Sequence, residues 1–203
     1  ASTFTIVDTT GPDLTVPADY TAECTDELVF EDASAVDGCQ DCMDEYSMTS
    51  SAAGYGLSFE LVAEHDAGEL AGLQTYRVYL ELNDALDQVT SFTGDDNFAL
   101  ELNTTTSFYQ HAVGTATPNG ITAAALAIVP ELEFDSYVTV GLSGAPQGDE
   151  DAVSLIPGAW VEAFESGQNI SVNDGIGSGW YVFPDSPNGL AGADKRLLVA
   201  QLT

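Results

Sequence analysis

Short runs of β-branched and aromatic residues recur along this chain, each stopped by Gly, Asp, Asn or Pro, and that rhythm leaves little room for a helical fold. Thr75-Tyr76-Arg77-Val78-Tyr79-Leu80-Glu81-Leu82 is the clearest such run. Further strands are predicted over 55–64, 88–92, 98–103, 137–142, 170–172, 179–183 and 196–202. Turn clusters at 94–97, 144–149, 173–175 and 184–189 separate them. Helix is expected only over 121–129 and around 159–164. Short strands at this spacing predict an all-β fold, a β-sandwich or jelly-roll-like domain over 46–203. Residues 1–45 read differently, as an extended N-terminal segment. Phe4-Thr5-Ile6-Val7 alternates like a strand, and Asp8-Thr9-Thr10-Gly11-Pro12 forms a turn or linker. Leu14-Thr15-Val16-Pro17 begins a second extended stretch that Pro17 confines to an edge or a strand end.

Charge narrows the partners. The chain holds 33 acidic residues against three basic ones, Arg77, Lys195 and Arg196, for a formal charge of −30. Nucleic acid and anionic lipid both need basic residues to neutralise phosphate, so neither is an expected partner. Self-repulsion of this size is tolerated by salt screening, over about 8 Å at physiological ionic strength, or by bound divalent cations. A hydrophobic content of 44% still provides a core. No stretch is long and apolar enough to insert in a bilayer; the longest apolar run, 121–130, is too short. Ala1 does not begin a signal peptide, so an exported chain is expected to be mature sequence here. Sparse Lys, abundant Thr, Gly and Asp, and clustered cysteines point to a secreted, cell-surface location. Asn103-Thr104-Thr105 and Asn169-Ile170-Ser171 fit the N-glycosylation sequon.

The cysteines are Cys24, Cys39 and Cys42. Three thiols cannot make a four-cysteine zinc site. Cys39-Gln40-Asp41-Cys42 has redox spacing, but Asp37, Asp41 and Asp44 would raise a thiol pKa, the wrong direction for a nucleophile. A structural disulfide fits better, Cys24 with Cys39 closing a short loop in preference to Cys24 with Cys42. One cysteine is left over, for a bond to another chain or as a buried thiol.

Two stretches carry a resemblance. Asp8-Thr9-Thr10-Gly11-Pro12-Asp13-Leu14-Thr15-Val16-Pro17-Ala18-Asp19-Tyr20-Thr21-Ala22-Glu23-Cys24, with Asp37-Gly38-Cys39, resembles the opening of a hyalin-repeat (HYR) module, and Cys42 departs from that pattern. The resemblance implies an immunoglobulin-like β-sandwich, extracellular placement, adhesion and tandem copies. Gly72-Leu73-Gln74-Thr75-Tyr76-Arg77-Val78-Tyr79, Thr105-Thr106-Ser107-Phe108-Tyr109-Gln110 and Phe134-Asp135-Ser136-Tyr137-Val138-Thr139-Val140-Gly141 are similar, in that order, to stretches of surface and secreted proteins of marine, flavobacterial-type bacteria. That second resemblance, over about 55–203, implies a location and no activity.

Catalytic machinery is not legible. His65 and His111 are the only imidazoles and read as ordinary loop or strand residues. Gly141-Leu142-Ser143-Gly144-Ala145 falls one residue short of a nucleophile elbow and lacks a following helix. With so many carboxylates, some pair always meets a glycosidase spacing, so that criterion decides nothing. Acidic turns are the candidate Ca²⁺ ligands, Asp95 and Asp96 first and Asp174 second, against the alternative of plain solvated turns. Trp160 and Trp180 are read as core residues in preference to sugar-stacking platforms. The expectation is a non-enzymatic structural or adhesive module, a repeat unit or filament-type subunit that self-associates head-to-tail through the strand of Phe4, Ile6 and Val7 and the strand of Leu14 and Val16. The alternative is a Ca²⁺-dependent carbohydrate-binding module that takes a surface polysaccharide.

Overall fold

The computed structural model describes residues 13–15, 34–36, 48–49 and 55–203. The chain divides into two units, Thr5–Tyr46 and Ala1–Phe4 with Ser47–Thr203. In the first unit, β1 (Asp13–Thr15) pairs antiparallel with β2 (Ser34–Val36), Leu14 standing opposite Ala35. Of the N-terminal candidates only Leu14 is thereby placed. Phe4, Ile6, Val7, Val16, Cys24, Cys39 and Cys42 lie outside the described residues.

The second unit holds β3 (Met48–Thr49), β4 (Gly56–Glu64), β5 (Gln74–Glu81), β6 (Ser91–Gly94), β7 (Leu100–Leu102), β8 (Tyr137–Val138), β9 (Ser154–Ile156), β10 (Ile170–Val172), β11 (Ser178–Tyr181) and β12 (Arg196–Leu202). Two short helices interrupt them, α1 (Ala123–Leu126) and α2 (Ala159–Glu165). Three sheets result, ordered β3-β4-β5-β12-β8, β6-β11-β9 and β10-β7. Every pairing among the described strands is antiparallel. The fold is all-β.

Period-two alternation explains the central sheet. Leu57 and Phe59 on β4, Val78 and Leu80 on β5, and Leu197, Ala200 and Leu202 on β12 join the main core. That core also takes Leu100, Ile170 and Val172 from the β7–β10 pair, Trp180 from β11, and Trp160 and Phe164 from α2. The α2 residues stand four apart on one helical face, the spacing that lets a single turn-and-a-half bury two aromatics. Trp160 and Trp180 lie 5.5 Å apart, Phe92 stacks on Trp180 at 5.5 Å, and Trp180 Nε1 donates to the Thr139 carbonyl at 3.0 Å. Both tryptophans are thus core residues. A smaller cluster of Ile121, Leu132 and Tyr137, with Ala125, Leu126 and Val129 against it, lies at the β8 end. Thr122 caps α1 there by accepting the Ala125 N–H at 3.1 Å.

Three expectations shift. The strand over 137–142 shortens to β8, because Gly141 adopts φ 76°, outside any strand region. Its backbone still holds to β12: Thr139 N–H donates to the Val199 carbonyl at 2.8 Å and Gly141 N–H to that of Leu198 at 2.9 Å. The strand over 88–92 moves to β6, with Gln88 left in an isolated bridge to Leu190. Finally, β9 was not anticipated: it is three residues long between the acidic 149–151 turn and Pro157, too short for alternation to register.

Gly141 is a position that requires glycine. A Cβ there would collide with the Asn188 carbonyl, and the φ itself disfavours any L side chain. Asn188 is in turn buried, and its side-chain amide donates to the carbonyls of Val140 at 2.8 Å and Asp151 at 3.3 Å. Gly141→Ala should lower unfolding free energy by at least about 2 kcal/mol, combining strained backbone with a displaced buried turn. Denaturant titration of the two proteins checks it.

Candidate functional site

The face of the central sheet opposite the core is polar, and β5 and β12 place the chain's scarce cations on it. Thr75, Arg77, Tyr79 and Glu81 alternate on that face of β5. Across the ladder Arg196 stands opposite Glu81, Leu198 opposite Tyr79 and Gln201 opposite Arg77. A register shift between Leu198 and Ala200 makes the last pairing possible: without the bulge at Val199, Gln201 would point into the core. Lys195 sits just before β12, exposed, with φ 57°.

The two arginines are held differently. Arg196 Nε donates to Glu81 Oε1 at 3.0 Å, and Nη1 lies 3.6 Å from Glu60 Oε2. Its guanidinium covers the Tyr79 ring at 4.0 Å, and Nη2 donates to Ser58 Oγ at 3.3 Å; the Ser58 hydroxyl also donates to Glu81. Arg77 Nε donates instead to Gln201 Oε1 at 3.2 Å, and no carboxylate among the described residues forms an ion pair with it. Gln201 is buried, its amide donating to the carbonyls of Glu133 at 2.7 Å and Asp135 at 3.2 Å. Gln201 Oε1 also accepts from the Tyr137 hydroxyl at 3.4 Å. Burial pushes that hydroxyl up to about 12, with Arg77 pulling the other way. Arg77, Tyr79, Ser143, Asn188, Asp194 and Arg196 are among the residues that line a cleft of about 380 Å³ on this face.

Among the described residues, the β4 edge of the same sheet is covered only in part. Pairing with β3 covers Gly56 and Leu57 of β4, and Glu60 to Glu64 have no outer strand among the described residues. Leu61 and Val62 are exposed on that edge at 45% and 39%. Leu73, 38% exposed, follows where the hairpin closes through the His65 and Leu73 backbones.

The other sequence-predicted residues are placed as follows. Asp95 and Asp96 in the β6–β7 turn meet Asp174 in the β10–β11 turn, the Asp96 N–H donating to the Asp174 carbonyl at 2.9 Å. Two of the carboxylates close their own turns: Asp95 Oδ1 accepts from the N–H groups of Asn97 and Phe98, both at 2.8 Å, and Asp174 Oδ1 from those of Ile176 and Gly177, both at 2.9 Å. Among the described residues no group of three or more His, Cys, Asp or Glu is arranged to hold a metal ion. Asn103 and Asn169 are exposed and adjacent, since β7 pairs with β10 and Asn169 Oδ1 accepts the Thr104 N–H at 2.9 Å. His65 Nε2 pairs with Thr75 Oγ1 at 2.8 Å, and His111 Nδ1 accepts the Val113 N–H at 3.2 Å.

Sequence reasoning missed the cleft and the β4 edge. The cation count held the signal: two of three basic residues fall on strands at positions facing one way. No protein-family model, curated protein or solved structure matches the chain. No helix among the described residues is long and apolar enough to cross a membrane.

Asp135 lies under this face, fully buried. Its Oδ1 accepts the His111 N–H at 2.7 Å, while Oδ2 has no partner. Burial raises its pKa to about 6; backbone N–H groups, His111 first, oppose the shift, and Glu165 adds to it. A folded pKa above the unfolded value means the folded state binds this proton more tightly. Stability from this group is therefore full below about pH 4 and falls as pH rises through 6, by about 3 kcal/mol. Asp135→Asn should flatten the stability–pH curve between pH 4 and 6 relative to wild type, read by urea unfolding at half-unit steps. Identical slopes in both proteins would refute the assignment.

Proposed function

We propose that this chain is a secreted, non-enzymatic structural or adhesive module of a bacterial cell surface, a β-sandwich-type unit that assembles head-to-tail. The N-terminal strand of one copy, around Phe4, Ile6 and Val7, adds to the edge of β4 in the next. The observation carrying this reading is the run Glu60 to Glu64, which has no outer strand among the described residues and bears exposed Leu61 and Val62. An edge of that kind templates another strand through main-chain hydrogen bonds. Charge selects the partner strand. Glu60 and Glu64 disfavour a second acidic edge, whereas residues 1–7 contain no acidic residue in a chain of net charge −30. A contact between two different surfaces of identical copies is heterologous and propagates as a filament. The HYR-like residues 8–39 fit the same reading, since such modules occur in tandem, and the cysteine left over from a Cys24–Cys39 bond would be available to join copies.

A Ca²⁺-dependent carbohydrate-binding module is the second reading, favoured by the meeting of the Asp95–Asp96 and Asp174 turns. A glycan array run with and without EDTA separates it from the first. Deletion of residues 1–12 should abolish assembly in negative-stain images while leaving the circular dichroism of the β unit unchanged. A truncated protein that still polymerises would sink the strand-addition proposal.

A further inference from the structure

The Arg77 cleft calls for a ligand of its own. In a chain with 33 carboxylates, Arg196 is neutralised twice over, by Glu60 and Glu81. Arg77 forms no ion pair among the described residues, although Glu60 stands opposite it on β4 and pairs with Arg196 instead. Its side-chain hydrogen-bond partners are neutral, the Tyr137 hydroxyl and, across the ladder, the amide oxygen of Gln201. That amide is itself locked by two backbone carbonyls, so the guanidinium is held in one orientation before anything binds. A guanidinium has five N–H donors in a planar fork, and Gln201 and Tyr137 do not exhaust them. The fork matches a carboxylate in two parallel hydrogen bonds.

The remaining walls narrow the ligand. Asp194 on the same cleft repels a second negative charge and accepts hydrogen bonds from hydroxyl groups. Ser143 is exposed there and can donate or accept. Asn188 cannot contribute, because its amide and its oxygen are already bound to Val140, Asp151 and the Asp151 N–H. A volume of about 380 Å³ falls within the range of small-ligand clefts, roughly 300–1,000 Å³, and exceeds what a bare carboxylate fills. One anionic group read by a fork, with hydroxyls around it, describes a sugar acid.

We infer that the cleft lined by Arg77, Tyr79, Ser143, Asp194 and Arg196 binds the carboxylate of a hexuronate sugar, with Arg77 as its anchor and Gln201 positioning that anchor. Calcium takes no part, since Asp95, Asp96 and Asp174 do not line the cleft. The site stands independently of filament formation.

Saturation-transfer NMR on the full chain tests it, because ligand signals are read whether the protein is monomeric or assembled. The probes are D-galacturonic acid, D-galactose, tri-galacturonic acid and inorganic phosphate, in EDTA and at high salt to screen the net charge. Galacturonic acid should saturate with a dissociation constant on the order of millimolar, as a single sugar does in a small open site, and galactose should give no transfer. Arg77→Gln should weaken binding at least tenfold. Arg77→Lys, which keeps the charge and loses the fork, should also weaken it, and circular dichroism shows that each variant is folded. Stronger binding of the trimer places the site on a polymer, and equal binding places it on free sugar acid; both support it. Equal binding of galactose, phosphate binding without galacturonate binding, no saturation by any probe, or wild-type affinity in folded Arg77→Gln and Arg77→Lys would each overturn the inference.

Discussion

The antiparallel ladder between β5 and β12 is the constraint on which the rest of the second unit depends. One side of it supplies Val78, Leu80, Leu197, Ala200 and Leu202 to the core, and the other holds Arg77, Tyr79, Arg196 and Gln201. The bulge at Val199 keeps both sides consistent. It resets the alternation of β12 so that Ala200 and Leu202 stay in the core while Gln201 turns to meet Arg77. The same bulge gives its backbone to the 139–141 segment, which carries Gly141 against Asn188 and forms a wall of the cleft. Core, cleft and turn therefore share one irregularity in one strand.

Electrostatics gives that ladder its second role. With 33 acidic residues and three basic ones, the protein repels itself and most biological polyanions beyond a Debye length of about 8 Å. Contacts must then form at short range, through backbone hydrogen bonds or through the few places where the field is locally reversed. The edge of β4 offers the first, and the Arg77 cleft the second. They lie on one sheet but use different chemistry, so an edge contact and a sugar contact need not compete.

How much of this was legible in the sequence follows from the length and polarity of each element. The runs at 55–64, 75–82, 170–172 and 196–202 emerge as β4, β5, β10 and β12 almost unchanged, because the longer ones alternate and the short one is bounded by turn residues. Elements of two or three residues, such as β9, carry no period to detect. The bulge at Val199 was invisible, since any phase of Leu197-Leu198-Val199-Ala200 reads as apolar. The cleft was hidden for another reason: Arg77, Ser143, Asn188, Asp194 and Arg196 come from four separate segments that only strand order brings together. The acidic turns were seen, and so was their candidacy as ligands. What the sequence could not show is that Asp95 and Asp174 each cap their own backbone. Residues 1–12 and the three cysteines, which the sequence singles out for assembly, lie outside the described residues.

Strand addition at β4 is the central proposal, and hydrogen–deuterium exchange resolved to residues 60–64 reads it most directly. Dilute, unassembled protein should exchange the outward amides of this stretch rapidly, because no strand among the described residues covers them. Assembled protein should protect alternate amides there, the pattern that a new antiparallel or parallel neighbour imposes. Protection rising with assembly and absent after removal of residues 1–12 is the expected result. Exchange over 60–64 that stays equally fast in assembled and dispersed protein would contradict it.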